Sequence, residues 1–233
     1  MQRVFGAVRT EEEDHWLTVS DLMAGLMVVF LFIAITYIMQ ARKEAQFSEE
    51  VKAWRKNHDK IYEALNQEFS EDLDEWDAEI EESTLIIRFK NPNVLFRQNE
   101  TNLSNHFKKI LADFCPRYLD VLIDFRKSIQ EVRIEGHTSS EWNAAVDSDT
   151  AYFKNMELSQ GRTRTVLQYC LNLDFTEQPW LKQWAHTTMT ANGLSSSRLI
   201  KNQAGREDKI KSRRVEFRVQ AQTIIEILDA LEN

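Results

Sequence analysis

The sequence predicts an α/β (α+β) chain: a single N-terminal transmembrane helix, a helical connector, and a domain built on a roughly four-stranded mixed sheet with helices on one face. Three observations predict it. Between Leu17 and Met39 the only acidic or basic side chain is Asp21. Residues 40–82 keep apolar side chains at helical spacing. From Ser83 onward, short alternating segments are interleaved with helical ones, a pattern that packs helices against a sheet.

The apolar stretch is roughly 34 Å long as a helix at ~1.5 Å per residue, enough to cross a hydrocarbon core of ~30 Å. Its length exceeds a signal-peptide core and no small-residue cleavage site follows, so it reads as a retained span over 16–39, with Trp16 as an interface anchor and residues 1–15 as a cytoplasmic tail. Asp21 then lies about one turn inside the membrane, where insertion of an acid costs ~2.5–3.5 kcal/mol at the helix centre and somewhat less near its end. Two readings compete. Thr18, Ser20 and Asp21 could cap a helix that truly begins at Leu22. Alternatively, Asp21 shares a stripe with Ala24, Gly25, Val28 and Phe32, where small residues permit close helix packing, and the acid serves an ion path. A single helix cannot enclose such a path, so the second reading requires helices from other chains.

After the span, Phe47, Val51, Trp54, Ile61, Leu65, Phe69, Leu73, Trp76 and Ile80 form the apolar stripe of the connector. It suits a two-stranded coiled coil or a helix packed on its own domain equally well. The eight acids in 71–82 read as a solvated face. Leu85–Phe89 alternates as a strand and ends in a turn at Asn91-Pro92-Asn93. Leu103–Phe125 is helical in spacing, with Pro116 interrupting it. Glu131–Glu135 is a second strand, a polar loop runs through Thr150, and 155–171 is a helix. His186–Ala191 and Val215–Val219 are the third and fourth strands, and Thr223–Leu231 a short terminal helix.

The formal net charge of −8 argues against nucleic acid as a direct ligand, although Lys209, Lys211, Arg213 and Arg214 cluster. Five histidines and two cysteines show no metal-ligand spacing, and neither a phosphate-binding glycine loop nor a nucleophile elbow is present. The expectation is a chain without enzymatic activity, cofactor or metal. Positive charge is heavier after the span (Arg42, Lys43, Lys52, Arg55, Lys56) than before it (Arg3, Arg9), which by itself favours a cytoplasmic C-terminal side.

Three strings then become informative together: Ile134-Glu135-Gly136-His137-Thr138, Asn155-Met156-Glu157-Leu158-Ser159-Gln160-Gly161-Arg162 and Arg213-Arg214-Val215-Glu216. In this order they resemble the OmpA-like peptidoglycan-binding domain, whose pattern is Gly-x-Thr-Asp at a strand end, Asn-x-x-Leu-Ser-x-x-Arg in a helix, and Arg-Arg-Val-Glu on the last strand. The domain would cover 83–222, leaving 223–233 as a terminal helix or tail. Separately, Trp16–Phe32 resembles the single span of MotB-type stator subunits, in which an aspartate carries the coupling ion. Within that group the short N-terminus, the Ser-Asp-Leu-Met core and the acidic connector look most like the MotB-like subunits of Zorya anti-phage defence systems.

The resemblance implies that Asp21 is the proton-binding site, and that Thr138, Ser139, Asn155, Leu158 and Arg162 face peptidoglycan, with Arg162 holding a diaminopimelate carboxylate of the stem peptide. A guanidinium fork suits that carboxylate geometrically. The bland alternative for Asn155 and Arg162 is a helix cap and a surface ion pair. One position departs from the pattern: Ser139 stands where the family has an aspartate that pairs with the ligand's ammonium, and Glu141, Asp147 or Asp149 are the acids that could replace it. Cys115 and Cys170 would fall in helices on the same sheet face, as a disulfide in a periplasmic domain or as two buried thiols. The implied assembly is a homodimer surrounded by a pentamer of a multi-span MotA-like subunit. It would sit in the bacterial inner membrane, with the N-terminus cytoplasmic and the C-terminal domain periplasmic, outweighing the positive-charge count.

Overall fold

The computed structural model describes residues 12–90, 95–97, 99–143 and 145–221. The chain divides into two compact units, Met1–Lys52 and Ala53–Asn233. Helix α1 runs over Glu12–Phe69. In the first unit its side chains over 19–49 are exposed, Leu22, Met27, Phe30 and Phe32 among them, and Asp21 with them. This part holds a window of mean hydropathy 2.5, long and apolar enough to cross a membrane. The uncovered apolar surface all round is what a helix solvated by lipid presents.

In the second unit five strands form one sheet in the order β1-β2-β5-β3-β4, where β1 is Ala78–Glu81, β2 Ile86–Phe89, β3 Ile129–His137, β4 Met189–Gly193 and β5 Arg214–Ala221. Only β3 and β4 pair in parallel, so the sheet is mixed. The helices are α2 (Asn105–Ile123), α3 (Ser148–Leu171), α4 (Pro179–Thr188) and α5 (Lys209–Ser212).

Several elements differ from expectation. The sheet has a fifth strand, β1, inside the acidic stretch 71–82 that periodicity assigned to the helical connector. Its glutamates are spoken for: Glu79 and Glu81 bind Arg88 of β2 at 2.6 and 3.2 Å. Pro116 lies inside a continuous α2 rather than interrupting it. Helix α3 begins at Ser148 because Asp147 accepts hydrogen bonds from the Asp149 and Thr150 amides, so the last three residues of the expected loop are helical and the helix starts seven residues before Asn155. His186–Thr188 belongs to α4, which Pro179 opens at its first turn, and β4 starts only at Met189. The turn at 91–93 and the terminal helix at 223–231 lie outside the described residues.

The core lies on one face of the sheet. Ile87, Phe89, Val132, Ile134, Phe217 and Val219 meet Phe107, Phe114 and Tyr118 of α2 and Val166 of α3. The last turns of α1 contribute Ile61, Leu65 and Phe69, all fully buried, so this part of the stripe packs on its own domain. Phe114 stands at the centre of the aromatic cluster, 4.8–5.3 Å from the rings of Tyr118, Phe217, Phe69 and Phe89. Cys115 of α2 and Cys170 of α3 form a disulfide with Cα atoms 5.6 Å apart.

The opposite face is ionic. Across the β3–β5 pairing, Glu135 faces Glu216, Arg133 faces Arg218 and His137 faces Arg214. Glu216 is buried, 2.7 Å from Arg88 and 2.6 Å from Arg214. Burial alone would raise its pKa, but His137 and Arg214 beside it hold it well below the usual carboxylate range.

Candidate functional site

Where β3 ends, the chain turns through Thr138 and Ser139 beside the middle of α3. Gly136 and Gly193 pair in register on β3 and β4, and α3 crosses directly over them. A Cβ at Gly193 would come within 2.2 Å of the Gln160 amide nitrogen, and one at Gly136 within 3.0 Å of the Ser159 carbonyl oxygen. Glycine at both positions therefore sets how close the helix lies. Ser195, in a left-handed conformation at φ 51°, fixes the junction: its amide donates to Ser159 Oγ, its hydroxyl to the Tyr152 carbonyl, and its own carbonyl accepts from the Thr138 amide.

This packing opens a cavity of about 490 Å³ lined by Phe96, Asn99, Thr138, Ser139, Glu141, Trp142, Asn155, Leu158, Arg162 and Arg213. All five residues expected to face a wall ligand line it. Asn155 sits two turns into α3, so it is not the helix cap; its Nδ2 donates to the Ser139 and Glu141 carbonyls, both at 3.2 Å, and holds the loop that forms one wall.

Arg162 is buried. Its Nε donates to the Glu100 carbonyl at 3.0 Å, Nη2 lies 3.4 Å from the Arg97 carbonyl, and its guanidinium covers the Phe96 ring at 4.8 Å. Among the described residues no carboxylate pairs with it, which removes the surface ion-pair reading. Burial, and then the like charge of Arg213, push its pKa down to about 10. Arg213 also has no acidic partner among the described residues, and its Nε and the Thr138 hydroxyl are buried without a hydrogen-bond partner. Two cations and two orphaned polar groups beside one cavity suit it chemically to an anion with several acceptor oxygens. Of the three acids expected to replace the family aspartate, only Glu141 lines the cavity; Asp147 is consumed as the α3 cap.

Against known proteins, no protein-family model matches the chain. Zorya protein ZorB of Escherichia coli (Crooks strain) is 48% identical over 212 residues, covering 91% of this chain and 89% of that protein. The chain belongs to the ZorB family. A second Zorya protein ZorB, from an ETEC strain of Escherichia coli, is 24% identical and covers 90% of this chain and 81% of its own. Among solved structures, a MotB-like protein from Desulfovibrio vulgaris superposes with a TM-score of 0.50 at 22% identity, over 76% of this chain and 96% of that one, and so shares the fold.

In this ZorB-family chain Arg213 is the lining residue that its charge cluster alone did not single out, because a run of basic residues usually marks solvated surface. The alternation of β5 carried the missing signal: Val215 and Phe217 face the core, and Arg213 lies just before the strand, at the rim of the site. A second grouping invisible from sequence spacing is Glu135, His137 and Glu216, whose ligating atoms lie within 4.8 Å of one another. It is a charge layer rather than a cation site. Arg198 and Arg218 bind Glu135, and Arg88, Arg214 and Arg218 bind Glu216, so a dication there would meet an excess of positive charge.

Proposed function

We propose that the chain is the MotB-like subunit of an ion-driven rotary motor in the bacterial inner membrane, anchored to peptidoglycan through the α3 cavity and acting in anti-phage defence by passing a phage-attack signal to cytoplasmic effectors. The observation that carries the anchoring is the cavity itself, in which Arg162 and Arg213, without an acidic partner among the described residues, stand beside Thr138, Ser139, Asn155 and Leu158. A stem-peptide carboxylate supplies the acceptors that Arg213 Nε and the Thr138 hydroxyl lack, and a counter-charge for Arg162. The Cys115–Cys170 disulfide supports a periplasmic domain, since such bonds persist in oxidising compartments.

Motor action rests on Asp21. A carboxylate on an otherwise apolar helix is costly in lipid unless it faces partner helices, and a proton is the coupling ion that a lone carboxylate can carry. Two copies of the chain would place two such acids inside a ring of a multi-span MotA-like partner, pentameric around the dimer. Protonation would discharge each acid in turn and change its contacts with the ring. Two variants test the two halves. Arg162→Met is expected to abolish co-sedimentation of the full chain with purified peptidoglycan sacculi, and Asp21→Asn to abolish phage protection while the purified complex keeps its composition. Full protection by Asp21→Asn would leave a passive membrane-to-wall tether in place of a motor.

A further inference from the structure

We infer that the α3 cavity selects its ligand by carboxylate alone and makes no demand for a free ammonium group, so that it takes stem peptides whose diamino-acid amine is acylated in a cross-link as readily as those whose amine is free. The inference rests on the wall-binding reading above and concerns what that site recognises.

A zwitterion is gripped by two opposite charges, and here one of them is already spent. Glu141 is the sole acid among the described lining residues; its carboxylate is turned largely to solvent, where it forms an ion pair with the likewise exposed Lys209 of α5. Its loop is latched in that position: the Ser140 amide donates to Glu207 at 2.9 Å, the Ser140 hydroxyl also binds Glu207, and Asn155 holds the Glu141 carbonyl. Glu207 is thereby committed as well. Ser139, buried at the foot of the cavity, carries no charge. An ammonium entering the site would displace Lys209 from Glu141 and approach the two uncompensated guanidiniums.

A carboxylate meets the opposite situation. Arg162 and Arg213 offer charge, the Arg213 Nε and the Thr138 hydroxyl have no partner, and the like charges of the two arginines are relieved by an anion between them. Phe96, Trp142 and Leu158 give the same cavity apolar surface that suits the methylene chain and the neutral amide of an acylated amine.

The test uses the detergent-solubilised full chain and three soluble muropeptides ending in the diamino acid: amine free, amine N-acetylated, and amine free with the side-chain carboxyl amidated. The first two are expected to bind within about twofold of each other, and the third roughly tenfold or more weakly, the scale of a lost charge-assisted hydrogen bond. Ser139→Asp is expected to introduce a preference for the free amine. A tenfold or greater loss on N-acetylation in the unaltered chain, roughly the cost of a severed ion pair, overturns the inference while leaving wall binding intact. If none of the three ligands binds and sacculi are not retained, the wall-binding reading falls and this inference with it.

Discussion

Reducing the Cys115–Cys170 bond should cost the domain about 4 kcal/mol, a substantial part of the ~5–15 kcal/mol typical of a single domain. Both cysteines are fully buried between α2 and α3, so reduction leaves two packed thiols and no cavity; what changes is the freedom of the unfolded chain. The bond closes a loop of 55 residues, for which chain entropy gives about 4 kcal/mol at 25 °C. In a domain of this size each kcal/mol moves the melting temperature by ~2–4 °C, so the reduced protein should melt roughly 8–16 °C lower. Scanning fluorimetry of the full chain in detergent, oxidised and fully reduced, reads this directly. A fall of under about 3 °C would mean that the bond adds little constraint, contrary to the loop-entropy reasoning. The same bond reports location. In cells quenched with acid and then denatured, both cysteines should resist alkylation until a reductant is added; alkylation of Cys115 and Cys170 without reductant would put the domain on the reducing side.

Two further outcomes follow from the packing of the sheet. Gly193→Ala sets a Cβ 2.2 Å from the Gln160 nitrogen, so α3 must retreat by about 1.2 Å to reach ordinary contact; overpacking of this kind costs ~1–3 kcal/mol, and sacculus binding should weaken alongside a lowered urea midpoint because Asn155 and Arg162 ride on that helix. His137 is buried with its Nε2 3.4 Å from the Glu216 carboxylate, and burial, outweighing that carboxylate, lowers its pKa below the 6.5 of a free histidine. The unfolded chain therefore takes the proton first: this contribution is complete above pH ~6.5 and is lost as pH falls toward the folded value, at about 1.4 kcal/mol per pH unit while the native ring stays neutral. His137→Gln should flatten the decline of the urea midpoint between neutral and mildly acidic pH, and an unchanged slope would show that His137 does not titrate in this way.

What the sequence disclosed, it disclosed through period and through motif. Alternation marked β2, β3 and β5 because each has one apolar face toward α2 and α3, as in Val132, Ile134 and Phe217. β1 escaped because its outward positions are glutamates: Glu79 and Glu81 belong to an ion network with Arg88, which from sequence alone looks like a solvated acidic face. The start of α3 was hidden for a similar reason. Ser148, Asp149 and Thr150 are turn formers by composition, and only the cap by Asp147 shows them to be a first helical turn. In the site, Thr138, Asn155, Leu158 and Arg162 were legible as motif. The fates of Glu141, Asp147 and Glu207 were not, because each is decided by a partner distant in sequence or by local backbone amides.

Ile61, Leu65 and Phe69 bear on how this protein is cut. They are fully buried beside Phe114, so the structural start of the domain lies upstream of Ser83, where the strand pattern first becomes visible. A soluble fragment beginning at Ser83 would lack β1, Trp76 and these three side chains, exposing a broad apolar surface and an unpaired strand edge on β2. A fragment beginning at Ala53 keeps all of them, and is expected to remain monodisperse in water.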